Sequence, residues 1–381
     1  MNGLGAVDGL PGISGGDVRW IEIAKRWQKA GHDVHVLTPE AGVELCRKLG
    51  LNTTFHILAV PNDYSLKTYL LRFVKSTYIP KTLENFHGVV YSTTEHVYDV
   101  RPAAKIKKNG TGNIWVAIVH WVAPLKRKGT SWLNSMLFFL NQQMGFWYIK
   151  KGADLVLAVS RITAEHVKRM GIKHNVFPVD CGVAYREIRQ IAAKVRKKRY
   201  DAIFMKRFDG TKGVFDIIEI WKEVVKTKHE ARLGMVGLGT RNVMDRLRRM
   251  VEDYGIKDNV DFLGPIYDFE TKISVLAGSK LFVLPSYEEN WAIAIGEAMA
   301  AGVPVLCYDL PAIRPIWEDN VVWVQKGDKK KFANKIIELL NDEQARNRLS
   351  DAGIMFVEKY DWQRIVEEEI KFILSIGVTL T

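Results

Sequence analysis

The chain has 381 residues, 47% hydrophobic and 26% charged. That is enough for two or three domains with cores of their own, and wrong for a disulfide miniprotein, a disordered chain or a set of membrane spans. The formal charge of +12 is lopsided: residues 1–190 carry 25 Lys and Arg against 14 Asp and Glu, the remainder 30 against 29. Cys46, Cys181 and Cys307 lie too far apart for a disulfide framework or a zinc-ligand pattern. No charged segment followed by an apolar run opens the chain, so a cytoplasmic setting is expected.

The chain starts MNGLGAVDGLPGISGGDVR, with no apolar strand ahead of the glycines. A nucleotide-type α/β domain enters its first glycine loop from a buried strand, so either the start is displaced or another element fills that slot; the glycine-rich N-terminus is expected to be the site of a missing strand, with ladder groups and apolar faces exposed. Gly15 and Gly16 open the first helix, where amides can approach a phosphate without a Cβ in the way. Short β-branched runs then alternate with helical stretches: VHVL at Val34, VVYS at Val89, IWVAIVH at Ile114 and LVLAV at Leu155. This is the pattern of repeated β-α units on a parallel sheet. His120 closes the third run, at the carboxyl tip of an expected central strand. Taken alone, such a histidine is more often a hydrogen-bonded structural residue than a ligand contact.

From Ser131 to Lys151 the chain reads SWLNSMLFFLNQQMGFWYIKK, preceded by LKRKG. Asn134, Asn141, Gln142 and Gln143 interrupt it too often for a bilayer span. An interfacial helix on anionic lipid and a helix buried against the sheet both fit. The basic excess in the same half favours the lipid surface, and with it a peripheral position on the inner membrane face.

Between Pro178 and Asp201 an apolar strand end gives way to polar and basic residues. The boundary is therefore expected there, giving domains 1–185 and 186–381, with a closing helix at about 362–376 as a candidate to pack back on the first. The second half repeats the β-α pattern from AIFM at Ala202 to VVWVQ at Val321, so two doubly wound domains are the economical architecture. MKRFDGTKGVFDII follows its first strand and sets Arg207 and Lys212 at the carboxyl edge, where open α/β sheets bind ligands. Two cations there suit a diphosphate; the plain alternative is surface charge.

FVLPSYEENWAIAIGEAMAAGVPVLCY, from Phe282 to Tyr308, is a strand, a polar loop and a helix expected to begin near Trp291. Glu289 and the amides of Asn290, Trp291 and Ala292 then sit at a helix N-terminus, which favours phosphate. Glu297 follows about two turns along, roughly on the same face. A carboxylate there can pair with the vicinal hydroxyls of a ribose; the alternative is a solvated glutamate on an amphipathic helix.

The Glu289 to Glu297 spacing within P-S-x-x-E…E-A-M-A-x-G-x-P-V resembles the signature of the retaining glycosyltransferases of family 4. The step from Arg207 to Gly213 is similar to that family's G-R-L-x-x-x-K-G, and MVGLGT at Met235, VDFLGPI at Val260 and SGGDVRWIEIAKRWQKAGHDVHVLTP at Ser14 resemble its other segments. Lys206 stands where the family usually has glycine, and CGVA at Cys181 replaces its N-G-V-D. The resemblance implies an α/β GT-B fold, with two Rossmann-like domains facing across a cleft. It implies a sugar moved from a nucleotide-sugar donor to an acceptor with retention at the anomeric carbon. It assigns Arg207 and Lys212 to the diphosphate, Glu289 to the sugar, Glu297 to the ribose, and His120 to the sugar or acceptor edge. No D-x-D pair occurs in the chain, so cations and helix amides are expected to meet the leaving-group charge, with no metal and no further cofactor. The expected acceptor is a sugar or a lipid-linked molecule, with an anionic membrane surface as a further expected partner. A GT-B nucleotide-sugar epimerase would share the cleft yet release a free sugar nucleotide. A basic nucleic-acid-binding α/β protein would need stacking aromatics along a basic groove; the nucleotide-binding residues lie in the near-neutral half, so no nucleic-acid partner is expected.

Overall fold

The computed structural model describes residues 5–7, 10–12, 14–61, 66–125, 132–173 and 175–377. The chain divides into two compact units, Met1–Cys181 with Trp362–Thr381, and Gly182–Asp361. The division falls four residues before the expected 185/186 boundary, and the closing helix belongs to the first unit.

In chain order the first unit contains β1 (Gly5–Val7), β2 (Leu10–Gly12), α1 (Gly15–Lys29), β3 (His35–Thr38), α2 (Glu40–Lys48), β4 (Thr54–Ile57) and α3 (Leu66–Lys75). These are followed by β5 (Val89–Ser92), α4 (Val97–Asn109), β6 (Ile114–Val119), α5 (Trp132–Gly152), β7 (Leu155–Ala158), α6 (Arg161–Arg169) and β8 (Val176–Pro178). Strands β5, β6, β7 and β8 form one parallel sheet in that order, while β3 and β4 form a separate parallel pair. The glycine-rich start supplies an antiparallel hairpin, β1 on β2, and joins neither sheet. The core splits in the same place. Trp115, Val119 and Phe146 belong to one buried cluster, and Trp20, Ile21, Leu45 and Cys46 to another.

Helix α1 starts where its sequence dictates. Ser14 and Asp17 form a capping box, the Ser14 Oγ accepting from the Asp17 amide at 3.2 Å and the Asp17 carboxylate from the Ser14 amide at 2.9 Å.

The second unit runs α7 (Tyr185–Ala192), β9 (Tyr200–Met205), α8 (Val214–Thr227), β10 (Leu233–Val236), α9 (Arg241–Asp253), β11 (Val260–Gly264), α10 (Phe269–Ala277) and β12 (Ser279–Leu284). It continues through α11 (Ile293–Ala300), β13 (Val305–Tyr308), α12 (Arg314–Trp317), β14 (Val322–Val324), α13 (Lys329–Asn341) and α14 (Glu343–Val357). Its six strands are all parallel, in the order β11-β10-β9-β12-β13-β14, the doubly wound arrangement. Burial on both faces explains why strands such as VLCY are apolar throughout. The strand order reverses between β9 and β12, so the loops leaving these two strands open the crevice where such sheets take ligands.

Helix α15 (Trp362–Ser375) closes the chain and packs on α1. Its Glu369 is fully buried against the Arg19 guanidinium and accepts from the Tyr91 hydroxyl at 3.0 Å, while Arg19 donates to the Tyr91 oxygen at 3.1 Å. Burial disfavours the Arg19 charge, but the Glu369 carboxylate overrides it and keeps the guanidinium protonated.

Candidate active site

The crevice residues of the second unit come from two loops locked together. Gly213 has φ +71°, and a Cβ there would lie 1.8 Å from the Pro285 carbonyl oxygen, so only glycine lets the turn after β9 rest on the end of β12. Across that contact the Tyr287 amide donates to the Thr211 carbonyl at 2.8 Å, and Lys212 Nζ to the Glu288 carbonyl at 2.6 Å. Behind it, Asp216 of α8 accepts from the hydroxyls of Tyr287 at 2.7 Å and Tyr308 at 2.9 Å.

This frame places Glu289 between two ammonium groups. Lys206 Nζ and Lys212 Nζ each lie 3.2 Å from its Oε1. Burial alone would push the Glu289 carboxyl up; Lys206 and Lys212 outweigh it and hold it at about 2. The cluster carries two positive charges against one negative, which leaves a net positive charge at the carboxyl ends of β9 and β12. Lys206 is backed by Gly237, whose Cβ would meet the Lys206 carbonyl oxygen at 1.9 Å.

Arg207 stands apart from this cluster. Its side chain is 59% exposed and its Nε donates to Asp209 at 2.8 Å. Asp209 in turn accepts from the amides of Thr211 at 2.9 Å and Lys212 at 3.3 Å. Arg207 thus braces the turn that presents Lys212, and the cation beside Glu289 is its neighbour Lys206.

Helix α11 begins at Ile293, two residues later than the sequence suggested. Its N-cap is Ala292, with no side-chain capping bond and a left-handed backbone at φ 59°, a conformation a Cβ makes costly. Asn290 is exposed at the loop tip. Trp291 is buried, its ring 4.6 Å from Trp317 and 5.1 Å from Tyr360 and its carbonyl accepting from Trp317 Nε1 at 2.9 Å, so this residue anchors the loop. Glu297 is buried on α11 with its Oε1 2.6 Å from Lys272 Nζ of α10.

In the first unit His120 follows the last residue of β6. Its amide donates to Glu95 at 3.0 Å, and its Nε2 lies 3.0 Å from the Thr93 carbonyl oxygen. A carbonyl accepts only, so Nε2 carries the proton and Nδ1 is the acceptor of the neutral ring. Burial lowers the His120 pKa although the Glu95 carboxylate pulls the other way, which keeps the ring neutral near pH 7. Gly16, in the first turn of α1, backs this ring: a Cβ there would touch the imidazole at 3.2 Å. Gly15 precedes it at the helix start.

Helix α5 packs one face inward and leaves the other in solvent, with apolar residues on both. Its inner face buries Ser135, Gln142, Phe146 and Ile149, and Gln142 donates to Glu95 and to the Trp121 carbonyl, both at 2.9 Å. Two of the polar interruptions of the sequence, Gln142 and Asn141, whose Oδ1 accepts from the Val97 amide at 3.2 Å, are thus internal hydrogen-bond partners. The outer face exposes Trp132 (61%), Leu133, Leu140, Met144 and Trp147 (52%), with Lys151 Nζ 3.9 Å from the Trp147 ring centroid. Leu137, Phe138 and Phe139 are partly buried. The basic residues 126–128 lie outside the described residues. No helix among the described residues is long and apolar enough to cross a membrane.

Two family profiles cover most of the sequence. The one described as glycosyl transferases group 1 matches residues 186–355, and the one described as glycosyltransferase family 4 matches residues 13–187. The chain belongs to the group 1 glycosyltransferases, and it is a glycosyltransferase of the GT-B type. Among curated proteins it is 25% identical to N-acetyl-alpha-D-glucosaminyl L-malate synthase of Bacillus anthracis, over 94% of this chain and 93% of that enzyme. It is 29% identical to the phosphatidyl-myo-inositol mannosyltransferase of Mycobacterium leprae over 46% of this chain, spanning about half, 47%, of that enzyme. Among solved structures, Anabaena HepE in complex with UDP and glucose superposes with a TM-score of 0.73 at 16% identity, covering 95% of this chain and 96% of that one. The sucrose-phosphate synthase of Thermosynechococcus elongatus gives a TM-score of 0.70 at 18% identity, covering 94% and 92%.

Of the residues singled out in the sequence, the structure brings Lys212 and Glu289 into direct contact, sets Glu297 on the helix that follows, and turns Arg207 aside. Sequence reasoning noticed Lys206 only as a departure from a glycine and missed it as a member of the cluster. Lys272 gave no signal, because its pairing with Glu297 bridges two helices 25 residues apart.

Proposed function

We propose that this glycosyltransferase transfers a hexose with retention from a nucleoside-diphosphate sugar to a lipid-linked acceptor. The observation that carries the donor reading is the Lys206–Glu289–Lys212 cluster at the strand ends of the second unit. As the bond between the anomeric carbon and the diphosphate oxygen breaks, its electron pair goes to the diphosphate. Preorganised ammonium groups stabilise that charge without needing to reorganise. The acceptor hydroxyl oxygen forms the new bond to the anomeric carbon, and its proton passes to the departing diphosphate oxygen. Two cations already in place support a reaction that needs no divalent metal. In this reading Glu289 orients the sugar hydroxyls, Glu297 holds the ribose, and the amides of Asn290, Trp291 and Ala292 meet the phosphates. His120 accepts from an acceptor hydroxyl through Nδ1, and Gly15 and Gly16 keep the start of α1 open beside it.

The lipid reading rests on the outer face of α5, where an apolar stripe with two tryptophans and a lysine beside one of them lies in solvent. Such a stripe suits the headgroup boundary of an anionic bilayer. The Campylobacter jejuni relative, 23% identical over 81% of this chain, is named as acting on a diphospho-undecaprenol, which favours the same class of acceptor. Incubating the protein with UDP- and GDP-sugars, with and without polyprenyl-diphosphate sugars, tests the proposal. Transfer that requires the lipid acceptor and yields the anomer of the donor supports it. Transfer only to soluble sugars, or an inverted product, overturns it.

A further inference from the structure

A fully buried carboxylate touches the backbone of His120 in the first unit. Glu95 is 1% exposed and lies in the turn of residues 93–96 between β5 and α4. A carboxylate is costly to bury unless hydrogen bonds replace its water. Both of its oxygens accept here, Oε2 from the His120 amide at 3.0 Å and Oε1 from Gln142 Nε2 of α5 at 2.9 Å.

Gln142 is buried as well and is used at both ends. Its Nε2 also donates to the Trp121 carbonyl at 2.9 Å, and its Oε1 accepts from the Ala123 amide at 2.9 Å. The backbone that leaves β6 at His120, Trp121 and Ala123 is thus held by two side chains. The pairing has a direction. A glutamine at position 95 would have one acceptor oxygen for two donors, and would set an N–H against a buried N–H. The geometry therefore calls for a carboxylate at 95 and an amide at 142. Helix α5 can bring that amide close because a Cβ on Gly145 would lie 1.8 Å from the Glu95 carbonyl oxygen, a space that only glycine leaves open.

The same turn orients the imidazole. The Thr93 carbonyl oxygen lies 3.0 Å from His120 Nε2, which commits that nitrogen as donor and leaves Nδ1 as acceptor. Asp99 of α4 braces the turn, accepting from the hydroxyls of Thr93 at 3.0 Å and Thr94 at 2.7 Å. Among the described residues, Glu95 and His96 of the turn and Arg19 of α1 are the charged and titratable groups that act on the ring, while α5 brings the neutral Gln142 to this network.

We propose that Glu95 is a positioning residue for the transfer reaction. Its carboxylate ties the His120 backbone to the turn that holds the His120 ring, and through Gln142 it ties down the residues that follow, so that Nδ1 meets the acceptor hydroxyl in one place and in one tautomer. The proposal rests on the reading of His120 as the acceptor contact. Glu95 does not touch the acceptor and acts through His120.

The test compares the wild type with Glu95→Gln, alone and combined with Gln142→Glu, which exchanges the donor and acceptor ends of the pair. Nitrogen-15 NMR of the histidine-labelled full chain reads the tautomer and titration of His120, and transfer to a polyprenyl-diphosphate sugar is followed against pH. Glu95→Gln removes an anion that favours the imidazolium, so His120 should titrate at lower pH than in the wild type, and the acid limb of transfer should move the same way. Simple loosening of the fold would hydrate the ring and move its titration the opposite way. Transfer should fall about tenfold or more as the ring loses its fixed place. The double variant restores a donor–acceptor match and should return the titration towards that of the wild type and transfer to within about threefold of it; it carries the test if the single variant does not fold. A ring unchanged by Glu95→Gln, a titration that rises, or a double variant no better than the single one would overturn the proposal and leave the reading of His120 standing. A ring that changes while transfer keeps its rate and its acid limb would instead remove His120 from the acceptor site, and the proposal with it.

Discussion

Lys206 Nζ lies 3.2 Å from Glu289 Oε1, the same distance at which Lys212 Nζ meets that oxygen. One carboxylate therefore holds two ammonium groups at the carboxyl ends of β9 and β12, and each of the three side chains restricts the others. Lys206→Ala is expected to lower turnover by ~10²-fold or more, as removal of a preorganised charge stabiliser does. Arg207→Ala should cost about tenfold or less, because Arg207 acts through the Asp209 turn. Steady-state kinetics on the two variants checks the ranking; a larger loss in the Arg207 variant would return the diphosphate role to Arg207.

The acid response of the site follows from Glu289. Its folded pKa of about 2 lies below the unfolded value of 4.5, so its contribution to stability is fully present above about pH 4.5 and is lost as pH falls through 2. The shift corresponds to stabilisation on the order of 3 kcal/mol. Glu289→Gln should therefore flatten the fall in stability between pH 4.5 and 2, as read by denaturant unfolding at a series of pH values. An unchanged slope would mean that the ion cluster is not the source.

Removing the proposed ribose carboxylate, Glu297→Ala, should weaken nucleoside diphosphate binding by about 1–3 kcal/mol, the loss of a charged hydrogen bond. Lys272→Ala separates the two demands on this carboxylate. It leaves Glu297 in place and frees its Oε1, so nucleotide affinity should hold or rise. Calorimetry on both variants gives the answer, and a folded Glu297→Ala protein with full affinity would contradict the assignment.

The buried pair that ties α15 to α1 makes a stability prediction. Glu369→Ala strands the Arg19 guanidinium in the interior and should destabilise the first unit by about 3–5 kcal/mol. Replacing both residues with apolar side chains should recover much of that loss. Thermal unfolding of the single and double variants distinguishes this from a pair that contributes little.

For the outer face of α5, co-sedimentation with vesicles is the readout. Anionic vesicles should retain the protein at low salt and release it as salt screens the lysines. Trp132→Ser together with Trp147→Ser should weaken retention at least tenfold. Indifference to both neutral and anionic vesicles would remove the lipid surface from the account.

Much of this architecture was legible in the sequence, because parallel strands buried on both faces are written as near-continuous apolar runs. AIFM, LFVLP and VPVLCY fall within a residue or two of β9, β12 and β13. The site was less legible. Lys212 and Glu289 were found because each lies in a local motif. Lys206 was passed over because its value comes from a carboxylate 83 residues away, a distance no periodicity reports. The two faces of α5 could not be separated either, since Asn141 and Gln142 look like surface residues until Glu95 and His96 are seen to bind them.

The account stands most directly on the claim that the Lys206–Glu289–Lys212 cluster binds the diphosphate of the donor. Titration calorimetry of UDP, GDP and ADP, each beside its bare nucleoside, against the wild type and the Lys206→Ala and Lys212→Ala variants in the presence of EDTA, measures it. The account predicts that at least one nucleoside diphosphate binds the wild type without metal. It further predicts that each lysine variant loses about tenfold or more of that affinity while the weak binding of the bare nucleoside is unchanged. Binding of the diphosphate that needs added magnesium or manganese, or that survives both substitutions intact, would contradict it.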